Sequence, residues 1–217
     1  MRTIINGSLY LVISEEYGNG RTSLEIAREA IAGGVDIIQL REKRKSMQEL
    51  IKLGTGIQEL CRSSDVTFIV NDDPMLAKRI GADGVHLGQE DIERFSIGRV
   101  RDIIGPDRLI GISTHSVDQF TKLYGEDVNY LAFGPIFPTK TKNYNIGIGN
   151  VRKVAGLSHK PVFFIGGINM SNIDSLMAEG AANIALIRGI IGADDISAAT
   201  KEFKGRIRER KDKAINV

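Results

Sequence analysis

The polar residues that interrupt apolar runs carry the first chemical information in this chain. In Ile37-Ile38-Gln39-Leu40-Arg41-Glu42-Lys43, side chains of an extended segment alternate faces, so Gln39, Arg41 and Lys43 share one face and Ile38 and Leu40 the other. An apolar face packed against helices leaves an amide and two cations on the opposite side, and buried cations need anionic partners. Those partners are a bound anion or an internal carboxylate such as Glu42. Farther on, Val70-Asn71-Asp72-Asp73-Pro74 reads equally as a carboxylate site and as a strand-to-helix turn with an N-cap. Gly88-Gln89-Glu90-Asp91 places a second carboxylate beyond the next apolar run. Asp72 and Asp91 on adjacent loops can hold one Mg2+, which usually keeps waters and takes phosphate oxygens as its other ligands. That pairing makes sense for a substrate carrying a diphosphate.

The elements that must position these groups follow a regular beat. Apolar runs at Leu9–Ser14, Ile37–Glu42, Thr67–Asp72, Gly84–Leu87, Leu109–Thr114, Tyr130–Gly134, Pro161–Gly166 and Asn183–Ile187 read as strands. Between them, Ser23–Ala32, Ser46–Arg62, Pro74–Ile80, Ile92–Ile103, Val117–Tyr124, Gly149–Leu157 and Asn172–Glu179, with Ile196–Arg208 at the end, carry apolar residues at helical spacing. Gly33-Gly34-Val35-Asp36, Gly81-Ala82-Asp83-Gly84 and Gly180-Ala181-Ala182-Asn183 each look like a glycine helix cap followed by strand entry. Strands that each lead into a helix imply parallel pairing and right-handed crossovers. Eight such units in 217 residues predict a single-domain α/β protein spanning residues 1–217, a parallel (β/α)8 TIM barrel. The alternative, an open doubly wound sheet, would normally show a glycine-rich first turn, and none follows Leu9–Ser14.

In such a barrel the chemistry belongs at the C-terminal strand ends. The segment Gly134-Pro135-Ile136-Phe137-Pro138-Thr139-Lys140-Thr141-Lys142 after the sixth strand offers hydroxyl and ammonium donors on a proline-stiffened loop, and the glycine-rich stretch 145–150 beyond it would let it close. Gly166-Gly167 after the seventh strand and Arg188-Gly189 after the eighth suit the usual phosphate site of these barrels. His86 reads as an interior or a catalytic histidine, His115 stands at the mouth end of its strand, and His159 lies at the opposite end. The residues alone therefore predict a magnesium–diphosphate half and a phosphate half in one barrel mouth.

Bulk properties narrow the partners. A net charge of +2, from 29 basic and 27 acidic residues, speaks against a nucleic-acid binder, and the basic run Lys204–Lys213 reads as the solvated face of a last helix. No run approaches the roughly 18 apolar residues of a membrane span, and residues 1–14 lack the apolar core of a secretion signal, so a cytoplasmic location is expected. The single cysteine, Cys61, precludes an intrachain disulfide.

Taken in order, Gln39-Leu40-Arg41-Glu42-Lys43, Asn71-Asp72, His86-Leu87-Gly88-Gln89-Glu90-Asp91, Ser113, Gly134–Lys142 and Gly166-Gly167-Ile168 resemble the thiamine-phosphate synthase family over nearly the whole chain. The resemblance implies that Gln39, Leu40, Arg41, Glu42, Lys43, Asn71, Ser113 and Lys142 bind an aminopyrimidine diphosphate, and that Asp72 and Asp91 bind Mg2+. It implies that Thr139, Lys140, Thr141, Gly167, Ile187 and Arg188 hold a thiazole phosphate. Arg41, Lys43, Lys142 and Ser113 would then act on the reaction itself. The family reaction expels diphosphate from the pyrimidine's methylene carbon and lets the thiazole nitrogen capture the resulting carbocation. Three positions depart from the family pattern: Ile13-Ser14 replaces the usual Thr-Asp, Arg188 replaces a common serine, and Asn143-Tyr144-Asn145-Ile146 replaces an acidic continuation. Two rivals are a thiazole tautomerase of the same fold, working through His115, and a non-enzymatic barrel that binds a phosphorylated ligand.

Overall fold

The computed structural model describes residues 2–139 and 143–215, with side chains through residue 210. Its eight strands are β1 (Leu9–Ile13), β2 (Ile37–Leu40), β3 (Thr67–Asn71), β4 (Gly84–Leu87), β5 (Leu109–Thr114), β6 (Tyr130–Phe133), β7 (Val162–Ile165) and β8 (Asn183–Leu186). They form a closed barrel in chain order, and β8 pairs with β1 in parallel to complete it. Helices α1 (Ser23–Ala32), α2 (Met47–Ser63), α3 (Pro74–Ile80), α4 (Gln89–Arg94), α5 (Ile97–Ile104), α6 (Val117–Tyr124), α7 (Val151–Leu157), α8 (Ile173–Ala178), α9 (Arg188–Ile191) and α10 (Ile196–Ile215) complete the chain. Among the described residues no helix is long and apolar enough to cross a membrane.

Strand alternation divides the core in two. Leu11, Ile38, Leu40, Val70 and Val85 point outward into a continuous shell under the helices. Tyr10, Ile69, Leu109, Tyr130 and Phe163 fill the barrel itself. The inner layer closes around large rings only because its neighbours are small: a Cβ on Gly111 would lie 2.0 Å from Tyr130 Cζ. Cys61 is fully buried on α2, and burial pushes its thiol up to about 12, which makes it a packing residue rather than a nucleophile.

The glycine–carboxylate phrases before the strands have a concrete use. Asp36 accepts the Leu9 N–H at 2.6 Å, and Asp83 accepts that of Phe68 at 2.8 Å. Asn129 accepts the Ile110 N–H at 2.8 Å, and Asn183 accepts those of Gly7 and Ser8 at 3.0 and 3.1 Å. Every second strand thus brings an acceptor to the entry end of a neighbour, satisfying backbone donors that the ladder leaves unpaired.

Three expectations are corrected. The helix expected over Ile92–Ile103 is two helices: the chain leaves α4 at Phe95, and Ser96 starts α5 by accepting the Arg99 N–H. Helix α10 runs past Arg208 to Ile215. Lys204 does not lie on a solvated face; it is buried, donates to the Gly7 carbonyl at 2.9 Å and pairs with Asp36. That contact ties α10 to the floor of the barrel. Lys204→Ala would leave Asp36 and the Gly7 carbonyl without it, and is expected to cost about 2 kcal/mol of stability in denaturant titration. Turnover of the folded variant should match wild type.

Candidate active site

The strand ends open into one cavity of about 770 Å³, enough for two phosphorylated ring compounds together. On the β2 side, Gln39 is the last inward residue of the strand, and Arg41 and Lys43 continue its alternation into the cavity. The Arg41 N–H still donates to Ile13 O at 3.0 Å, so the β1–β2 ladder holds Arg41 in place. Leu40 packs into the outer core instead. Glu42 also turns away: its Oε1 accepts the Glu15 N–H at 2.7 Å and the Ser23 hydroxyl at 2.6 Å, joining the β1 loop to α1. Neither side chain lines the cavity, so within the segment 39–43 it is Gln39, Arg41 and Lys43 whose side chains reach it. Glu42 is therefore not the carboxylate that answers these cations. Among the described residues no ion pair engages Arg41 or Lys43, and the carboxylate that feels their charge is Asp72.

At the end of β3 the two readings of Asn71-Asp72-Asp73-Pro74 both hold, on different residues. Asp73 is the N-cap, accepting the Leu76 N–H at 2.9 Å ahead of Pro74. Asn71 and Asp72 line the cavity. Asp72 sits at φ 65°, the left-handed region that aspartate and asparagine tolerate better than most residues. Its N–H donates to His86 O at 2.8 Å. Across the loop, Asp91 in the first turn of α4 accepts the Gly88 N–H at 2.7 Å.

Burial, followed by the charge of the neighbouring Asp91, pushes the Asp72 carboxyl up to about 6. Lys43 and Arg41 oppose that rise. Two half-buried carboxylates this close are relieved by a shared proton or a cation. Among the described residues no cluster of three or more metal-ligating side chains exists. Two carboxylates alone would leave most positions of an ion such as Mg2+ to water and substrate oxygens.

Beside this pair, His86 stands inside β4 with Nε2 at 2.9 Å from Ser113 Oγ and Nδ1 at 3.1 Å from the Tyr130 hydroxyl. Burial, with a smaller contribution from the His115 charge, pulls its pKa down to about 4. An unfolded histidine titrates near 6.5, so the unfolded chain binds the extra proton between pH 6.5 and 4, and folding stability is lost as pH falls through that window. Asp72 titrates in the same range with the opposite sign. In Asp72→Asn protein with chelator, the loss should therefore emerge as a falling unfolding midpoint between pH 6.5 and 4, worth up to about 3 kcal/mol.

The other side of the cavity is built from the loops after β6, β7 and β8. Ile136 N–H donates to Ile165 O and Phe137 N–H to Gly166 O, both at 2.9 Å, so the β6 loop extends the β6–β7 ladder. Its returning leg is pinned by Ile146 N–H to Pro135 O and Gly147 N–H to Ile136 O. Lys140, Thr141 and Lys142 lie outside the described residues. Gly167 has φ 65°, and a Cβ there would lie 2.4 Å from Pro138 O. Glycine at 167 thus serves both the backbone turn and the close approach of the β6 loop.

Ile187 precedes the short helix α9, whose first N–H groups have no intrahelical partner and face an anion favourably. Arg188 donates to Thr139 Oγ1 at 3.0 Å and stacks over the Tyr17 ring. The departure from serine at this position thus links the β8 loop to the base of the β6 loop. His115 Nδ1 lies 2.5 Å from Gly134 O, which ties the end of β5 to the same loop. Of the residues that the sequence singled out, the structure brings Gln39, Arg41, Lys43, Asn71, Asp72, Asp91, Ser113, Thr139, Gly167, Ile187 and Arg188 to one cavity. Gln89 was not singled out; its Nε2 donates to Ser113 O at 2.6 Å, a bond that no local pattern announces.

Residues 9–190 match the family model described as thiamine monophosphate synthase. The chain is 38% identical over 199 residues to the thiamine-phosphate synthase of Moorella thermoacetica, covering 90% of this chain and 93% of that protein. It is 36% identical over 212 residues to the thiamine-phosphate synthase of Pelotomaculum thermopropionicum, covering 96% of each. Among solved structures, thiamine phosphate pyrophosphorylase from Pyrococcus furiosus superposes with a TM-score of 0.86 at 32% identity, covering 94% of this chain and 98% of that one. The KGPDC of Streptococcus mutans, with a TM-score of 0.64 at 15% identity and coverage of 94% and 99%, shares the fold. The match over residues 9–190 and the identity to these relatives place the chain in the thiamine monophosphate synthase family.

Proposed function

We propose that this chain is a thiamine-phosphate synthase that couples an aminopyrimidine methyl diphosphate to a thiazole phosphate and releases diphosphate, with Mg2+ held by Asp72 and Asp91. One observation carries the reading: a carboxylate pair, two cations outside any described ion pair and a glycine-built phosphate end share one cavity. The carbon–oxygen bond at the pyrimidine methylene breaks with its electron pair on the diphosphate. The thiazole nitrogen then donates its lone pair to that carbon, forming the new bond. No protein nucleophile is needed.

Bound Mg2+ would supply positive charge at the diphosphate oxygens. Arg41 and Lys43 act on the same oxygens, and their charge is worth more in a cavity from which water is excluded than in bulk solvent. Lys142, by family resemblance, would add a third cation. Gln39, Asn71 and Ser113 orient the pyrimidine half. Gly167 and the first turn of α9 hold the phosphate of the thiazole half, and Arg188 keeps Thr139 beside it.

Purified protein given both substrates should form thiamine phosphate with Mg2+ and lose that activity with chelator. Isomerised thiazole in place of thiamine phosphate would assign the barrel to the tautomerase reaction. Product formation unaffected by chelator would remove the metal from the mechanism.

A further inference from the structure

The barrel interior holds a run of polar side chains of which the coupling reaction, as proposed above, uses only the two ends, Gln39 and Ser113. Gln39 Nε2 lies 2.7 Å from the Tyr10 hydroxyl, which lies 2.9 Å from the Tyr130 hydroxyl. Tyr130 is 3.1 Å from His86 Nδ1, and His86 Nε2 is 2.9 Å from Ser113 Oγ. Tyr10, Gln39, Tyr130 and His86 are each buried, with at most 7% exposure. Tyr130 does not line the cavity, so it acts on the cavity only through its neighbours.

Counting protons gives the run a direction. An amide nitrogen donates and does not accept, so Gln39 gives a proton to Tyr10. If Tyr10 also accepted from Tyr130, its own buried proton would have no partner, so Tyr10 donates to Tyr130 and, by the same reasoning, Tyr130 donates to His86 Nδ1. A neutral imidazole that accepts at Nδ1 carries its proton on Nε2, where it donates to Ser113 Oγ. Ser113 receives that bond while lining the cavity, and its own proton is left for a ligand.

We propose that Tyr10, Tyr130 and His86 are positioning residues whose one-way run of hydrogen bonds holds Ser113 as a fixed donor to an anionic oxygen of the phosphorylated substrate. A lone serine hydroxyl rotates and can donate or accept. A donor oriented in advance needs no reorganisation as charge grows on a leaving group. Naming the diphosphate as receiver rests on the coupling reaction proposed above; the direction of the run does not.

Two measurements test the proposal. Nitrogen-15 NMR of the full-length protein, labelled at histidine and free of substrate, reads the His86 tautomer. The Nε2–H form is expected; the Nδ1–H form would reverse the run and overturn the proposal. Tyr130→Phe cuts the run while keeping the ring. It should mix the His86 tautomers and lower kcat about tenfold, with a much smaller change in KM for the diphosphate substrate. In a Ser113→Ala background the same change should lower kcat no further, because nothing remains to be positioned. Equal losses in both backgrounds would mean that Tyr130 acts through packing alone and would overturn the proposal. If Tyr130→Phe does not fold, Tyr10→Phe enters the same cycle. Since the tautomer is read without turnover, the run can fail while the coupling reaction stands, and the product assay decides the reaction separately.

Discussion

Asp72→Asn is expected to lower kcat about a thousandfold, equivalent to about 4 kcal/mol of transition-state stabilisation. The change is nearly isosteric, and asparagine tolerates the left-handed backbone at φ 65° as readily as aspartate does. What disappears is half of the carboxylate charge that would hold the proposed Mg2+. The same change should make the metal-free protein more stable. Burial and the neighbouring Asp91 hold the Asp72 carboxyl up to about 6, so its ionised form opposes folding at neutral pH and asparagine removes that opposition. Initial rates across a magnesium series, with unfolding midpoints in chelator, check both halves. A wild-type rate would remove Asp72 from the metal site. A lower midpoint would mean that the loop, rather than the charge, had been damaged.

Gly111→Ala is expected to harm folding by about 3 kcal/mol or more. Its methyl group would lie 2.0 Å from Tyr130 Cζ and 2.4 Å from Cε1 and Cε2, inside the ring. The ring has little room to retreat: Phe163 meets it edge-on at 5.5 Å and Tyr10 packs at 6.0 Å. Any folded population should also turn over slowly, because a displaced Tyr130 loses the 3.1 Å contact with His86. Gly98→Ala on α5 is the control. Nothing lies within 4 Å of the added methyl, and alanine in a helix should gain about 0.5–1 kcal/mol. Denaturant titration of the two variants separates the clash from the generic effect of losing a glycine.

Much of this architecture is visible in residue order. Apolar runs located all eight strands because a parallel barrel buries both faces of each one. Alternation along β2 sorted Gln39, Arg41 and Lys43 from Leu40 correctly, since a side-chain period of two leaves little choice. Alternation could not say where Glu42 would go, because its partners are the Glu15 N–H and the Ser23 hydroxyl across another loop. Helix α9 spans four residues, too few to show a period. Asp72 and Asp73 have the same side chain and adjacent positions, yet one caps a helix and the other faces the cavity. Tyr10 and Tyr130 lie in apolar runs far apart in the chain, and only the closed barrel brings their hydroxyls within 2.9 Å. Local pattern thus reported which way side chains point. Partners chosen across the barrel were beyond it.

The acceptors at the strand entries, Asp36, Asp83, Asn129 and Asn183, share no residue with the cavity lining. Closure of the barrel and choice of substrate are therefore written in different codons. Mutational drift at the mouth can redirect what is bound without loosening the seam between β8 and β1, and a lineage can inherit the closure unchanged while its chemistry diverges.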